Sequence, residues 1–270
     1  MTGNYQTITC ELKGHVAEVF LNRPEKSNAM NPEFWPEIRD AFEKIHRDRE
    51  ARVAVVAGNG KNFSAGLDLK ASGSMFAQQK DSMETDTLFH AILEIQEAFN
   101  VVEECKKPVI AAVHGACIGG GLDLIAACDL RLASADARFS LREAKLAIIA
   151  DLGSLNRLRH IIGEGHAREL AYTGKDIDAT RALRIGLVND VYPDREACLA
   201  AARALAEEIA ATAPLAVQGA KEVMNYCRDK NIRDGLQYAA ARSVMILKGA
   251  DLMEAVMAFM QKRKPNFQGK

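Results

Sequence analysis

The sequence of 270 residues lacks both a long hydrophobic run and an excess of charge of either sign. No stretch approaches the roughly 20 consecutive apolar residues of a membrane-spanning helix, so we expect no membrane partner. With 35 basic and 36 acidic residues the formal net charge is −1, which provides no overall attraction to nucleic acid. The N-terminus also lacks the basic start and apolar run of a secretory signal, so the cytoplasm is the expected location.

Metal and nucleotide motifs are missing as well. The six cysteines are widely spaced, without a CxxC pair or a Cys/His cluster, which argues against structural zinc and favours buried free thiols. Lys61 is followed by Asn62 rather than by Ser or Thr, so the glycines around it do not form a Walker A loop. No GxGxxG opens a helix. We therefore expect no metal and no separate cofactor.

The patterns that are present predict an α/β fold. Residues 5–12 and 15–21 have the composition of two short strands. Apolar residues at alternating steps of four and three predict an amphipathic helix over 86–105. Helical spacing dominates after residue 195. We therefore divide the chain into an α/β core, 1–195, and a helical C-terminal region, 196–270.

Two glycine-bearing segments, 58–69 and 114–124, each follow a predicted buried strand. The three glycines Gly119 to Gly121 remove side chains where a backbone must approach a ligand closely. Amides at a helix start are unpaired, so one from each segment could converge on a developing oxyanion. Each such donor is worth about 2.7–4 kcal/mol of transition-state stabilisation. The alternative is tight packing at a strand-helix corner.

Five motifs in order resemble the crotonase, or enoyl-CoA hydratase/isomerase, superfamily over about residues 5–267. They are NRPEKSNAM (22–30), FSAGLDL (63–69), PVIAAVHGACIGGGLDL (108–124), CDLRLASADARFSLREAKLAI (128–148) and FMQKRKPNF (259–267). The resemblance implies a crotonase (ClpP/crotonase-like) fold of repeated ββα units. It also implies a helical C-terminal region that forms homotrimers, often paired into hexamers.

The resemblance further implies a binding site for an acyl-CoA thioester, with coenzyme A as part of the substrate. The backbone amides of Leu67 and Gly120 match the two donors to the thioester carbonyl. Phe259 and Lys262 match tail positions that reach coenzyme A, sometimes on a neighbouring subunit. The substrate-binding positions are Lys26, Ala29, Ala65, Gly66, Leu67, Asp68, Gly119, Gly120, Phe259 and Lys262.

Three carboxylates match the catalytic positions of the superfamily: Asp123, Glu143 and Asp151. Hydratases resemble this chain at the first two positions, where a carboxylate pair activates water, but typically have glycine at the third. The pattern Asp, Glu, Asp with IADLGSLNRL around the last resembles the Δ3,5-Δ2,4-dienoyl-CoA isomerases. The expected reaction therefore moves two conjugated double bonds of a 3,5-dienoyl-CoA to the 2,4 positions.

Two carboxyl groups on opposite sides of a flat dienolate can move the proton. We expect Asp151 to take it near C2 and Glu143 to return one near C6, or the two roles to be exchanged. Burial must raise the pKa of whichever carboxyl serves as the acid. Asp123 could be held ionised by the helix start and act by positioning. As alternatives, Asp151 could cap a helix that begins near Leu152, and Glu143 could pair with Arg142 or Lys145 on a solvated surface.

The same motifs are also compatible with other functions. A hydratase would use Asp123 and Glu143 to hold a water molecule. A dehalogenase of the superfamily would share the third aspartate but have Trp in place of Glu143. Some members of the superfamily bind RNA, but the balanced charge and the three carboxylates weigh against that function.

Overall fold

The computed structural model describes residues 3–73 and 81–270. The strands of this part of the chain are β1 (Ile8–Lys13), β2 (Val16–Leu21), β3 (Val53–Gly58), β4 (Val109–Val113), β5 (Ala116–Ile118), β6 (Leu130–Ser134), β7 (Arg138–Ser140), β8 (Ile177–Asp178) and β9 (Asp190–Tyr192). Its helices are α1 (Phe34–Arg47), α2 (Ser82–Glu103), α3 (Gly120–Ala127), α4 (Ser154–Ile162), α5 (Glu164–Thr173), α6 (Ala179–Arg184), α7 (Arg195–Ala210), α8 (Pro214–Tyr226), α9 (Ile232–Ile246) and α10 (Ala250–Met260).

The main sheet has six strands in the order β1-β2-β3-β4-β6-β9. The predicted pair of N-terminal strands is present: β1 and β2 form an antiparallel hairpin, and Gly14 takes the positive φ of +57° at its turn. The remaining neighbours pair in parallel, and the connections between them include helices. The sheet is therefore a parallel α/β sheet with one antiparallel edge.

Alternate residues of β3 face opposite sides of this sheet. Val53 and Val55 pack in one apolar cluster together with Ala202 and Ala206 of α7, whereas Ala54 and Val56 join the larger core on the other face. That larger core includes the buried faces of α1, α2 and α3. Because α7 covers the sheet, the first helix after residue 195 packs directly on the α/β core. The division at residue 195 stays a prediction.

A second, smaller sheet has the order β5-β7-β8. An isolated parallel bridge between Ser64 and Cys117 extends this sheet by one more segment. Three successive stretches of chain therefore repeat one pattern: a strand in the main sheet, a strand segment in the small sheet, and a helix. The units are β3, Ser64 and α2, then β4, β5 and α3, then β6, β7 and α4. This arrangement confirms the predicted ββα architecture.

The predicted helix over 86–105 begins earlier, at Ser82, because the side chain of Asp81 accepts the N–H groups of Met83 and Glu84. All six cysteines are free and Cys227 alone among them is partly exposed, which confirms the expectation of mostly buried thiols. Within residues 3–73 and 81–270, no helix is long and apolar enough to cross a membrane.

Candidate active site

The small sheet brings the two glycine-bearing segments side by side. The Ser64 N–H donates to the Ala116 carbonyl at 2.9 Å, and the Ile118 N–H donates back to the Ser64 carbonyl at 3.0 Å. Leu67 and Gly120 follow these paired residues in their own units. The two amides proposed from the sequence therefore follow adjacent parallel segments and lie at the same edge of the small sheet.

The Leu67 N–H points away from the segment that contains Met30. Met30 donates its N–H to the Gly66 carbonyl at 2.8 Å and accepts the Asp68 N–H at 2.8 Å, so it pairs with the residues on both sides of Leu67. In such a parallel pairing the N–H of the intervening residue faces the opposite side. On that side lies Gly120, the first residue of α3, whose N–H has no partner within its helix.

Two glycines keep the space between these amides open. A Cβ added to Gly66, where φ is +84°, would lie 2.7 Å from the Ile118 carbonyl oxygen and 3.3 Å from the Gly120 nitrogen. A Cβ added to Gly120 would lie 2.9 Å from the Met30 sulfur and 4.0 Å from the Leu67 nitrogen. A side chain at Gly66 would therefore displace the backbone of Ile118, and one at Gly120 would require either the Met30 thioether or the start of α3 to shift.

The segment proposed for coenzyme A lies against the first amide loop. The Ala65 N–H donates to the Ser27 carbonyl at 2.9 Å, and the Ala29 N–H donates to the Lys26 carbonyl at 3.1 Å. The amide nitrogen of buried Asn28 donates to the carbonyls of Asn59 and Asn62, which fixes the segment in place. Lys26 itself is exposed. The structure thus brings Lys26, Ala29 and Ala65 together.

Asp68 joins the same two segments. Its carboxylate lies 3.1 Å from the Arg23 guanidinium, which also donates to the Ala29 carbonyl at 2.5 Å. The N–H of Ala71 donates to the same carboxylate and, together with Arg23, lowers the pKa of Asp68. This carboxylate is therefore ionised and holds the loop that carries the Leu67 amide.

Glu143 follows β7, the third neighbour in the small sheet, and begins a 3-10 turn that runs to Leu146. Its Oε1 lies 2.8 Å from the point that a Cβ on Gly119 would occupy, and its Oε2 is buried and has no hydrogen-bond partner among the residues that the structure describes. Burial raises the pKa of Glu143, and the charge of Asp151 raises it further. The alternative of a solvated pair with Arg142 is wrong, because Arg142 bonds Asp176.

Asp123 lies in the first turn of α3 with 1% of its surface exposed. Its Oδ1 accepts the Ser154 N–H at 2.7 Å and the Ser154 hydroxyl at 2.5 Å. Burial raises the pKa of Asp123 to about 7, against the lowering effect of the bonds from Ser154. The start of α3 therefore does not hold the pKa of Asp123 low, because desolvation outweighs the stabilisation of its charge.

Asp151 lies in the turn before α4, and loss of surrounding water raises the pKa of its carboxyl. Gln96 of α2 donates its side-chain amide to the Asp151 carbonyl at 2.7 Å. The alternative that Asp151 caps the following helix is wrong, because α4 begins at Ser154 and its capping oxygen belongs to Asp123. The side chain of Asp151 therefore does not serve as the cap of α4.

Two predicted residues lie outside this cluster. Phe259, near the end of α10, has 85% of its surface exposed, and Lys262 follows that helix with a φ of +53°. The tail beyond them folds back: the Asp251 carboxylate accepts the N–H groups of Gln268 and Gly269. In the single chain both predicted residues lie at the surface, and their contribution to binding stays a prediction.

Sequence reasoning missed the residues that hold the site together, chiefly Ser154, Gln96 and Arg23. Ser154 resembles an ordinary helix-start serine, and its partner is 31 residues away. Gln96 and Arg23 resemble solvated polar residues. No local signal links any of them to the carboxylates. In the part of the chain that the structure describes, no His, Cys, Asp and Glu side chains cluster as metal ligands would.

Main-chain N–H groups that converge beside desolvated carboxyls are typical of an enzyme that polarises a carbonyl group. A family model described as enoyl-CoA hydratase/isomerase matches residues 11–270, and the chain belongs to that family.

Two curated relatives are isomerases. The chain is 44% identical over 256 residues to "Delta(3,5)-Delta(2,4)-dienoyl-CoA isomerase, mitochondrial" of Dictyostelium discoideum, which covers 94% of this chain and 87% of that protein. It is 39% identical over 271 residues to the peroxisomal enzyme of that name from Arabidopsis thaliana, with 98% of each chain covered. Among solved structures, an enoyl-CoA hydratase from Bacillus anthracis has a TM-score of 0.91 at 33% identity, covering 98% of this chain and all of that one.

These relatives correct one expectation. The cytoplasmic location expected from the sequence is contradicted, because the isomerases are named mitochondrial in one organism and peroxisomal in the other. That expectation depended on the absence of a recognisable targeting signal, and such an absence does not define a compartment.

Proposed function

We propose that this enzyme isomerises 3,5-dienoyl-CoA thioesters to 2,4-dienoyl-CoA thioesters. The observation that carries the proposal is the buried carboxyl of Glu143, whose Oε1 lies against Gly119 in the second glycine-bearing segment and whose pKa is raised by burial and by the charge of Asp151. The sequence similarity to the two isomerases supports the same reaction. In a hydratase, by contrast, the residue at the position of Asp151 is typically glycine.

In the proposed mechanism the thioester carbonyl accepts hydrogen bonds from the N–H groups of Leu67 and Gly120. Asp151 removes a proton from C2, and the electron pair of that C–H bond delocalises over the carbonyl oxygen and the conjugated carbons to C6. Glu143 delivers a proton to C6, which leaves double bonds at C2 and C4. One proton leaves and one is added, so the reaction needs no oxidant and no water.

The raised pKa values of both carboxyls suit this exchange. A carboxyl with an ordinary pKa is almost entirely ionised near neutral pH and is a poor acid. Burial raises the pKa of Glu143, so a larger fraction is protonated and able to donate to C6. Desolvation also raises the pKa of Asp151, which makes its ionised form a stronger base.

The experiment that tests the reaction gives purified protein a 3,5-dienoyl-CoA and, in parallel, a 2-enoyl-CoA. Growth of the ultraviolet absorbance of the conjugated 2,4-dienoyl thioester, with little loss of the enoyl thioester, is the expected result. A flat dienoyl trace beside rapid hydration of the enoyl thioester would reject the isomerase in favour of a hydratase that uses Asp123 and Glu143.

We further propose that the protein assembles as a homotrimer or as a pair of trimers. Large apolar side chains are exposed along the C-terminal helices, which is the surface pattern of an interface. On α9 and α10 they are Ile232, Leu236, Val244, Met245, Leu252, Met253, Val256, Met257, Phe259 and Met260. Light scattering should report three or six times the 29.5 kDa mass of the chain. A mass equal to one chain would reject this assembly.

A further inference from the structure

We infer that Asp123 is a positioning residue, whose carboxyl caps α4 through Ser154 and thereby holds the turn that carries Asp151. The inference depends on the proposed function, in which Asp151 exchanges a proton with the substrate. It assigns no proton transfer to Asp123, although the motif that contains this residue resembles a catalytic position of the superfamily.

The start of α4 has no cap of its own. The residue before it, Gly153, has no side chain, and its φ is +118°. A residue with a side chain is strained at this φ, and its Cβ would also require the Arg157 guanidinium to move, so the position favours glycine. The first N–H groups of a helix have no partner within the helix, and a buried one needs an acceptor from elsewhere.

Asp123 supplies that acceptor from a different helix. One oxygen, Oδ1, accepts both the N–H and the hydroxyl of Ser154, which is itself fully buried. Side-chain caps stabilise a helix start, and their loss leaves a buried donor unpaired. The bond therefore joins the start of α3, where Gly120 lies, to the start of α4.

The turn between Asp151 and Ser154 has two further contacts near its start, besides the bond from Ser154 to Asp123 at its end. Gln96 bonds the Asp151 carbonyl at 2.7 Å, and the Arg157 guanidinium bonds the Leu152 carbonyl at 3.3 Å. The Gln96 contact is exposed, whereas the Asp123 contact is buried. Water can replace the exposed bond but has no access to the buried one, so the Asp123 anchor controls where the turn lies.

Oδ1 of Asp123 can accept these bonds whether or not the carboxyl is ionised. An asparagine at position 123 would keep the same acceptor oxygen but could not carry a proton between substrate atoms. Positioning and proton transfer therefore predict opposite results for Asp123→Asn. Alanine at the same position removes the acceptor and is expected to impair either role.

The test compares isomerisation by the wild-type protein, Asp123→Asn and Asp123→Ala. We expect Asp123→Asn to keep kcat within about tenfold of wild type. We expect Asp123→Ala to lower kcat by about a hundredfold with KM nearly unchanged, because a displacement of about 1 Å at a reacting group can cost that much. Equal inactivity of the two variants, in folded protein, would overturn the inference.

A second pair of variants covers the case in which Asp123→Ala does not fold. Ser154→Ala keeps the backbone bond to Asp123 but loses the hydroxyl, and we expect kcat to fall about three- to tenfold at constant KM. Ser82, also the first residue of a helix, is the matched control, and Ser82→Ala should leave kcat unchanged. Full activity of Ser154→Ala together with an inactive Asp123→Asn would overturn the inference. A wild-type protein that fails to isomerise the dienoyl thioester would instead reject the proposed function.

Discussion

At the scale of single residues, the three carboxyls of the site differ in what surrounds them. Asp123 is bonded to Ser154, and Asp151 lies in an exposed turn with a partly desolvated carboxyl. Glu143 has a buried oxygen without a partner within residues 3–73 and 81–270. An unpartnered buried oxygen is costly, so its persistence fits a group that acquires its partner when the substrate binds.

Replacement of Asp151 by asparagine should abolish isomerisation. Asparagine cannot accept the C2 proton, whereas the Leu67 and Gly120 amides proposed as donors to the thioester carbonyl are untouched. We expect kcat to fall by at least about a thousandfold and the affinity for an acyl-CoA, measured by calorimetry, to change little. Asp229→Asn, at an exposed aspartate, is the control that should behave as wild type. Unchanged turnover would remove Asp151 from the mechanism.

The raised pKa of Asp123 also predicts how stability varies with pH. Its pKa is about 7 in the folded protein and near 3.8 when unfolded, so between these values the folded state holds more protons. This group should therefore lower the free energy of unfolding as pH rises from about 4 to 7, by on the order of 4 kcal/mol.

The variant Asp123→Asn lacks that group, so its stability should decline less over the same pH range. Thermal unfolding of both proteins at pH 5 and pH 8 measures the effect. The melting temperature of the variant minus that of the wild type should be larger at pH 8 than at pH 5. A difference that does not depend on pH would contradict the pKa assigned to Asp123.

At the scale of elements, the site is built from equivalent points of three consecutive ββα units. Leu67 follows the Ser64 segment, Gly120 follows β5, and Glu143 follows β7. These segments are parallel neighbours in the small sheet, so their carboxyl ends converge. The Gly119 N–H also donates to the Ser140 carbonyl at 2.9 Å, which ties the second unit to the third.

Alanine at Gly120 should impair the reaction more than the fold. Its Cβ would lie 2.9 Å from the Met30 sulfur, so either the thioether or the start of α3 must shift. Loss of alignment of one donor predicts a decrease in kcat of roughly a hundredfold. Gly165 in α5 has open space around it, and Gly165→Ala is the control that should retain full activity. Equal kinetics for the two variants would contradict the role of the Gly120 amide.

The elements of this site differ in how far sequence can predict them. The glycine-bearing turns were predictable, because a strand running into glycines is a local pattern that Gly66 and Gly120 both satisfy. The N-terminus of α2 was missed by four residues, because its cap, Asp81, precedes the apolar repeat. The bond between Asp123 and Ser154 joins two helices, and a single sequence contains no pattern for such a contact.

At the scale of the whole molecule, the predicted coenzyme A contacts come from distant parts of the chain. Lys26 and Ala65 lie at the first amide loop, whereas Phe259 and Lys262 belong to the exposed C-terminal segment. The exposure of Phe259 in one chain is consistent with a site completed by a neighbouring subunit. Binding of the thioester would then depend on assembly.

Replacement of Lys262 by alanine should weaken binding of an acyl-CoA without changing the acid-base chemistry. Loss of one exposed cation near a phosphate predicts a decrease in affinity of roughly three- to tenfold, with a smaller effect at high salt. Calorimetry measures the affinity, and the pH profile of kcat should match that of wild type. Lys264→Ala provides the control two residues further along. Equal affinity of the wild type and Lys262→Ala would exclude the contact.

The two donors proposed for the thioester oxygen are main-chain N–H groups, which every residue type except proline carries. Single codon changes can therefore replace the carboxyls around them without deleting either donor. Descendants of such a gene would inherit activation of the thioester and vary the step that follows it. Selection for a new reaction would then act mainly on a few side chains such as Asp151 and Glu143, and the ββα scaffold would remain unchanged.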